Sequence, residues 1–189
     1  MRIDLLQRGA DSIPYLISGS GPGGYDSIIM GPTDRIQKPG DILIIDTGST
    51  FDGYFCDFDR NFAFGRPDDL SRRAYDIVYA ATEAGLAAAK PGATTSDVWA
   101  AMWHVMEEGG ALGNSVGRLG HGLGIQLTEW PSNTKDDMTP LEPGVVLTLE
   151  PGMEFAPGKQ MVHEENILIT DDGAVLLSRR AAAEIPVIG

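Results

Sequence analysis

Twice in this sequence of 189 residues an apolar strand ends in an acid, and the chain returns through a second acid set among apolar residues. The first copy opens at Pro39-Gly40 and runs through DILIIDTGS, which carries Asp46. It turns at Phe51-Asp52-Gly53 and returns as YFCDFDRNFAFG, which carries Asp57. The second opens at Pro143-Gly144 and runs through VVLTLE to Glu150. It passes a turn region, GMEFAPGK, and returns as MVHEENILIT, which carries Glu164. In both copies the first acid lies six positions after the glycine. Apolar runs of this length and alternation predict strands. An ionised carboxylate removed from water needs a partner. A single acid at an exposed strand end would need nothing. Four at matched positions, brought together by packing two hairpins about a pseudo-two-fold axis, cannot all ionise unless cations neutralise them.

Between the two copies the pattern is helical. Residues 71–90 place Tyr75, Val78, Tyr79, Leu86 and Ala89 at helical spacings, and Pro91-Gly92 ends the run. Thr95 is positioned to cap a second helix carrying Val98, Met102, Val105 and Met106 on one stripe. Strands early and late with two helices between them predict an α+β fold. Val175-Leu176-Leu177 is a candidate closing strand, and residues 18–24 read as a loop by composition. That loop lacks the Lys–Ser/Thr that a phosphate cradle requires. The opening MRIDLLQRG reads as the tail of a helix.

His121 adds a nitrogen to the carboxylates. Gly120, Gly122 and Gly124 surround it and leave room for backbone approach and a ligand. The set Asp46, Asp57, His121, Glu150 and Glu164 is oxygen-rich, which favours Mn, Fe, Co or Zn over copper. Two ions sharing bridging carboxylates fit the number of ligands. Composition excludes the main alternatives. One cysteine cannot form an internal disulfide or a cysteine-rich zinc site. A net charge of −13 argues against nucleic-acid binding. No apolar stretch is long enough for a membrane span, and no secretory leader is recognisable. A reducing, cytoplasmic compartment is the expectation.

The motifs DTGSTFDGYFCDFDR, GHGLGIQLTEWP, LTLEPGM and MVHEENILIT, taken together, resemble the pita-bread metallopeptidase superfamily. GHGLG and HEEN are most similar to its aminopeptidase P, prolidase and creatinase branch. The resemblance runs from about residue 18 to the C-terminus. It implies a pita-bread fold with two pseudo-symmetric hairpins and flanking helices. It also implies two divalent ions, Mn first and Co, Zn or Fe as alternatives. Asp46 would hold the first ion, Asp57 and Glu164 would bridge, and His121 and Glu150 would hold the second. Glu150 would also move protons, with His121 the other catalytic residue. The implied reaction is attack of a metal-activated water on an amide bond of a small peptide, often an Xaa-Pro bond. Residues 1–189 would form one catalytic domain lacking its first helices and a preceding N-terminal domain, and a homodimer is the expected assembly.

Several positions depart from the peptidase pattern. A histidine expected before the first hairpin falls at Ile29 or Met30, and one after the GHG segment falls at Thr128. An arginine two residues before the last glutamate falls at Val162, expected on the same strand face as Glu164. Asp59 is gained on the same face as Asp57. It is expected either to pair with Arg60 or Arg118 or to act on a ligand. Trp103 and Trp130 read as core or interface residues, with Trp130 a candidate pocket wall. Cys56 reads as a buried apolar residue facing away from Asp57. His104 reads as a packed or surface residue, and His163 as structural because it should point away from Glu164. These departures leave three readings open. One is a peptidase, one is a hydrolase or lyase of a small zwitterion such as creatine, an ectoine derivative or dimethylsulfoniopropionate, and one is an inactive binding module.

Overall fold

The computed structural model describes residues 1–114 and 116–189. Two sheets and a ribbon share a core with two long helices, in an α+β arrangement. The first sheet has the order β1-β2-β3-β11. Its strands are β1 (Ser12–Pro22), β2 (Asp41–Phe51), β3 (Tyr54–Phe64) and β11 (Val187–Ile188). The β2–β3 hairpin closes on Asp52 and Gly53, both at positive φ (50° and 83°). An Asp-Gly pair is favoured there because both central residues of such a turn are left-handed. Its register sets Asp46 directly opposite Asp59, and Gly48 opposite Asp57. The three acids therefore share one face with Ile42, Ile44, Asn61 and Ala63. That face is apolar at one end and carboxylate at the other.

The glycine-rich residues 18–24, expected to be a loop, largely belong to β1, which pairs with β2 as far as Pro22 opposite Asp41. The glycines serve close packing. A Cβ on Gly19 would lie 2.3 Å from the Ser27 carbonyl oxygen.

The second sheet has the order β10-β9-β6-β4-β5. In chain order it comprises β4 (His121–Gly122), β5 (Glu129–Ser132), β6 (Val146–Leu149), β9 (Glu165–Thr170) and β10 (Gly173–Leu176). The region expected to turn after Glu150 instead forms a ribbon of β7 (Gly152–Ala156) and β8 (Lys159–Val162). The expected strand through residues 161–170 is thereby divided. It stops at Val162 and resumes at Glu165. His163 and Glu164 lie in the break. The second acid-bearing pair, β6 and β9, is adjacent and antiparallel like the first, but it is joined through the inserted ribbon.

Helix α1 (Arg2–Gln7) is short and has no buried residue. Helix α2 (Asp69–Ala88) starts at an Asp68 cap whose side chain accepts from the Ser71 N–H. Helix α3 (Thr95–Glu108) starts one residue earlier than expected, at Thr94, which forms a capping box with Asp97. Thr95 is unavailable as a cap because its hydroxyl is buried and donates to the Asp137 carbonyl. Val78, Ala81, Met102 and Met106 of these helices pack with Ile42, Ile44, Leu147, Leu149 and Ile167 of the sheets in one core.

β3 and the 162–166 segment belong to different sheets, so side chains join them. The Asn166 carboxamide accepts from the Asp57 N–H at 3.0 Å and donates to the Asp57 carbonyl. Arg60 donates to the Glu164 carbonyl (2.6 Å) and to Glu165 Oε2 (3.1 Å). Tyr25 donates to Asn61 Oδ1 and accepts from the Val162 N–H, while Asn61 donates to the Val162 carbonyl. Removing Asn166 leaves two buried backbone groups unpaired. Asn166→Leu is therefore expected to destabilise the fold by about 2 kcal/mol or more in urea unfolding. An unchanged midpoint would show that this link carries no weight.

Candidate metal centre

The carboxylate ends of both acid-bearing strand pairs meet. Atoms of Asp57, His121 and Glu164 lie within 4.8 Å of one another, and so do atoms of Asp46, Asp59 and Glu164. Glu164 is common to both groups, a position it reaches because it sits in the break between β8 and β9. Glu150, just after β6, points Oε2 to 4.0 Å from His121 Nε2, and Asp57 Oδ2 lies 3.6 Å from the same nitrogen. Donor atoms about 2.1 Å from one ion are themselves about 3 to 4.2 Å apart, so these spacings are close to those of a coordination shell.

His121 is held for this arrangement. Its backbone N–H donates to Thr148 Oγ1, and its Nδ1 lies 2.9 Å from the Gly122 carbonyl. A proton on Nδ1 satisfies that carbonyl and leaves the Nε2 lone pair facing the acids. The flanking glycines allow the close approach. A Cβ on Gly120 would lie 2.1 Å from the Thr148 carbonyl oxygen.

Burial dominates the electrostatics. It pushes Asp57 up to about 8, with the charges of Asp46 and Glu150 adding to the effect. It raises Glu150 to about 7 and Asp46 to about 6, with the Tyr15 hydroxyl bond to Asp46 opposing the latter rise. Asp59 and Glu164 are raised well above the ordinary carboxylate range, first by burial and then by their anionic neighbours. Burial lowers His121. Asp57 Oδ1, both Asp59 oxygens, Glu150 Oε2 and Glu164 Oε1 are buried with no hydrogen-bond partner. Unpartnered anionic oxygens beside a free imidazole nitrogen are the donor set of a divalent-cation site, and divalent ions fit the residues present.

A cavity of about 190 Å³ opens onto the cluster. Thr128 lines it, and so does Ile29, one of the two positions (with Met30) where the resemblance implies a histidine; Tyr15 and Arg118 line it as well. Arg118 is the only cation among the described residues lining it, and its Nε is buried without a partner. Neither Tyr15 nor Arg118 was assigned a place in the cavity from sequence. From sequence Arg118 is only a pairing candidate for Asp59. Tyr15 lies on a strand that the glycine-rich composition concealed.

Four expectations need correction. Asp59 pairs with neither arginine, because Arg60 sends its guanidinium to the Asp59 and Glu164 carbonyls and to Glu165. Adjacent strand residues face opposite ways, which takes Arg60 off the acid face. Val162 lies in the hydrophobic core and does not line the cavity, because the strand break separates its face from that of Glu164. Trp130 is 74% exposed and does not line the cavity, so of the places expected for it only the interface is compatible with the structure. Cys56 is half-buried beside Ser49, where the expectation was full burial. It lines a separate groove of about 690 Å³ with Phe51, Phe55 and Phe58 that contains no acid. Trp103 stacks on Trp99 of α3, and His104 is exposed near Glu108. His163 is buried against Tyr75 and Tyr79 with Nδ1 at 2.8 Å from Thr82 Oγ1, away from the cluster.

The sequence pattern of metallopeptidase family M24 matches residues 2–171. The probable dipeptidase PepE of Mycobacterium tuberculosis is 36% identical over 173 residues, covering 90% of this chain and 46% of that protein. The Xaa-Pro dipeptidase of Pyrococcus furiosus is 30% identical over 182 residues, covering 90% of this chain and 52% of that protein. The crystal structure of dipeptidase PepE from Mycobacterium ulcerans superposes with a TM-score of 0.91 at 30% identity, covering 98% of this chain and 50% of that one. The fold is the pita-bread fold of these peptidases. The chain spans about half the length of the curated relatives it matches.

Carboxylates raised in the folded state bind more protons folded than unfolded, so their contribution to stability is lost as pH rises through the raised values. The lowered His121, and His163 at about 3, act in the opposite sense and only below the ordinary histidine value of about 6.5. The melting temperature of metal-free protein is therefore expected to fall by about 5 °C or more between pH 6.5 and 9. Mn²⁺ should remove most of that dependence. A flat metal-free profile would show that the carboxylates are not confined together.

Proposed function

This chain belongs to metallopeptidase family M24, and from that premise we propose that it is a dinuclear metal-dependent hydrolase that cleaves an amide bond of a small peptide, with Xaa-Pro dipeptides as the first candidates. Supporting this is the convergence of Asp46, Asp57, His121, Glu150 and Glu164, with their unpartnered oxygens, on one small cavity. These five residues are the proposed ligands of two divalent ions, Mn first and Co, Zn or Fe as alternatives.

Bound ions of this kind polarise a substrate carbonyl and make a water nucleophilic near neutral pH. The chain's own residues do the rest. Glu150, which faces the cavity beside His121, is placed to take a proton from the attacking water and return it to the departing amine nitrogen. Tyr15 lines the cavity with Asp46, and its hydroxyl favours the ionised form of that carboxylate. Arg118 faces the same cavity and is the counter-charge for a substrate carboxylate. The acids attract a substrate amino group at the opposite end. A cavity of about 190 Å³ suits a ligand of dipeptide size or smaller.

The same size and the same pairing of charges suit a small zwitterion. Thr128 and Ile29 line the cavity; the resemblance implies a histidine at Thr128 and another at Ile29 or Met30, and their absence favours a second reading, turnover of a non-peptide zwitterionic metabolite. Under either reading we place residues 1–189 in one catalytic unit. We further propose a cytoplasmic homodimer, supported by the unpaired Cys56 and by the exposed Phe51, Tyr54 and Leu177 beside the larger groove. No helix among the described residues is long and apolar enough to cross a membrane.

Mn²⁺-loaded protein assayed on Xaa-Pro dipeptides, creatine and acylated amino acids is expected to turn over one class, and Asp57→Ala should abolish that turnover. Activity that survives in Asp57→Ala would refute the assignment. Arg118→Met is expected to raise KM for carboxylate-bearing substrates by about tenfold or more, and to leave a C-terminally amidated analogue little affected. Equal effects on both would remove Arg118 from substrate binding.

A further inference from the structure

Asp59 is an acid that the five-ligand scheme leaves without a role, and its surroundings give it none in the fold. It is fully buried. Both its oxygens lack a hydrogen-bond partner. Its cross-strand neighbour, directly opposite on β2, is another acid, Asp46. Like charges set directly opposite on a sheet repel, and no arginine side chain comes between them, since Arg60 is engaged with two carbonyls and Glu165. A third acid, Glu164, brings an oxygen within 4.8 Å of both. Three carboxylates confined in this way, one of them fully buried and unpartnered, are explained by a cation among them.

We propose that Asp59 is a direct metal ligand, and that Asp46, Asp59 and Glu164 form an all-carboxylate cation subsite chemically distinct from the subsite of Asp57, His121 and Glu164. The inference rests on the dinuclear reading above and adds a sixth protein ligand to it. The two subsites then differ in character. The first offers only hard oxygen donors and three formal negative charges, which suits Mn²⁺ or Mg²⁺. The second includes an imidazole, which suits Zn²⁺ or Co²⁺ as well. Glu164 belongs to both groups, and Asp57 keeps the bridging place given to it above. The ions are therefore expected to bind unequally, with the all-oxygen subsite depending on the charge of Asp59.

The test is Mn²⁺ titration of metal-free wild type, Asp59→Asn and Asp59→Thr by calorimetry, with low-temperature electron paramagnetic resonance of the loaded samples. Asp59→Asn is nearly isosteric and removes a repelling charge, so the metal-free fold should survive, as circular dichroism can verify. Wild type is expected to bind two equivalents and show a spin-coupled pair. Both variants should bind one equivalent at least about tenfold more weakly, keep the other, and show the hyperfine pattern of isolated Mn²⁺ at one bound equivalent. Two equivalents bound by Asp59→Asn with wild-type affinity and coupling would overturn the inference and leave the dinuclear reading standing. No Mn²⁺ bound by wild type would overturn both.

Discussion

Mutual repulsion of buried carboxylates is the constraint around which this molecule is organised. Asp46, Asp57, Asp59 and Glu164 are almost wholly removed from solvent and Glu150 is close to it. Arg118 is the only cationic side chain lining their cavity among the described residues. Hydrophobic packing can hold such a cluster in place but cannot neutralise it. In the metal-free fold burial and mutual repulsion favour the protonated form of these acids. A cation would accommodate it by replacing those protons. Folding, proton binding and metal binding are thus coupled at one place.

The remainder of the fold confines the cluster. The β2–β3 register sets Asp46 against Asp59, and the break between β8 and β9 sends Glu164 toward both strand pairs. Among the described residues the two sheets share no ladder where they meet, and Asn166, Arg60, Asn61 and Tyr25 join them through buried hydrogen bonds. These side chains are tied to the backbone of Asp57, Val162 and Glu164. A small displacement of one sheet would therefore alter the spacing of the acids. The apolar end of the same strand faces packs on α2 and α3 and supplies the burial that offsets the electrostatic cost.

Much of this was legible in the sequence. Asp46, Asp57, Glu150 and Glu164 stand out because acids inside apolar runs are costly, and the two copies repeat their positions. His121 stands out through its glycines. What could not be read was tertiary. Glycines at 19 and 21 suggested a loop, yet they lie in a strand because a neighbouring segment passes too close for a side chain. Strict alternation through residues 161–170 put Val162 beside Glu164, but an inserted ribbon interrupts the strand between them. The sequence puts Asp59 on the correct face but also offers Arg60 as its partner, and Arg60, its neighbour in sequence, projects from the other face. Trp130 follows the histidine segment closely in sequence and still faces solvent. Tyr15 and Arg118 carry no local signal, and only the folded chain brings them to the cavity.

We propose that this cluster exists to hold cations. Anomalous diffraction at the manganese edge, from crystals equilibrated with Mn²⁺, tests it most directly. Two peaks are expected inside the cluster, both within bonding distance of Glu164, with Asp46 beside one and His121 beside the other. Full loading conditions that leave the cluster without an anomalous peak, with its carboxylates bonded to one another through retained protons, would contradict it.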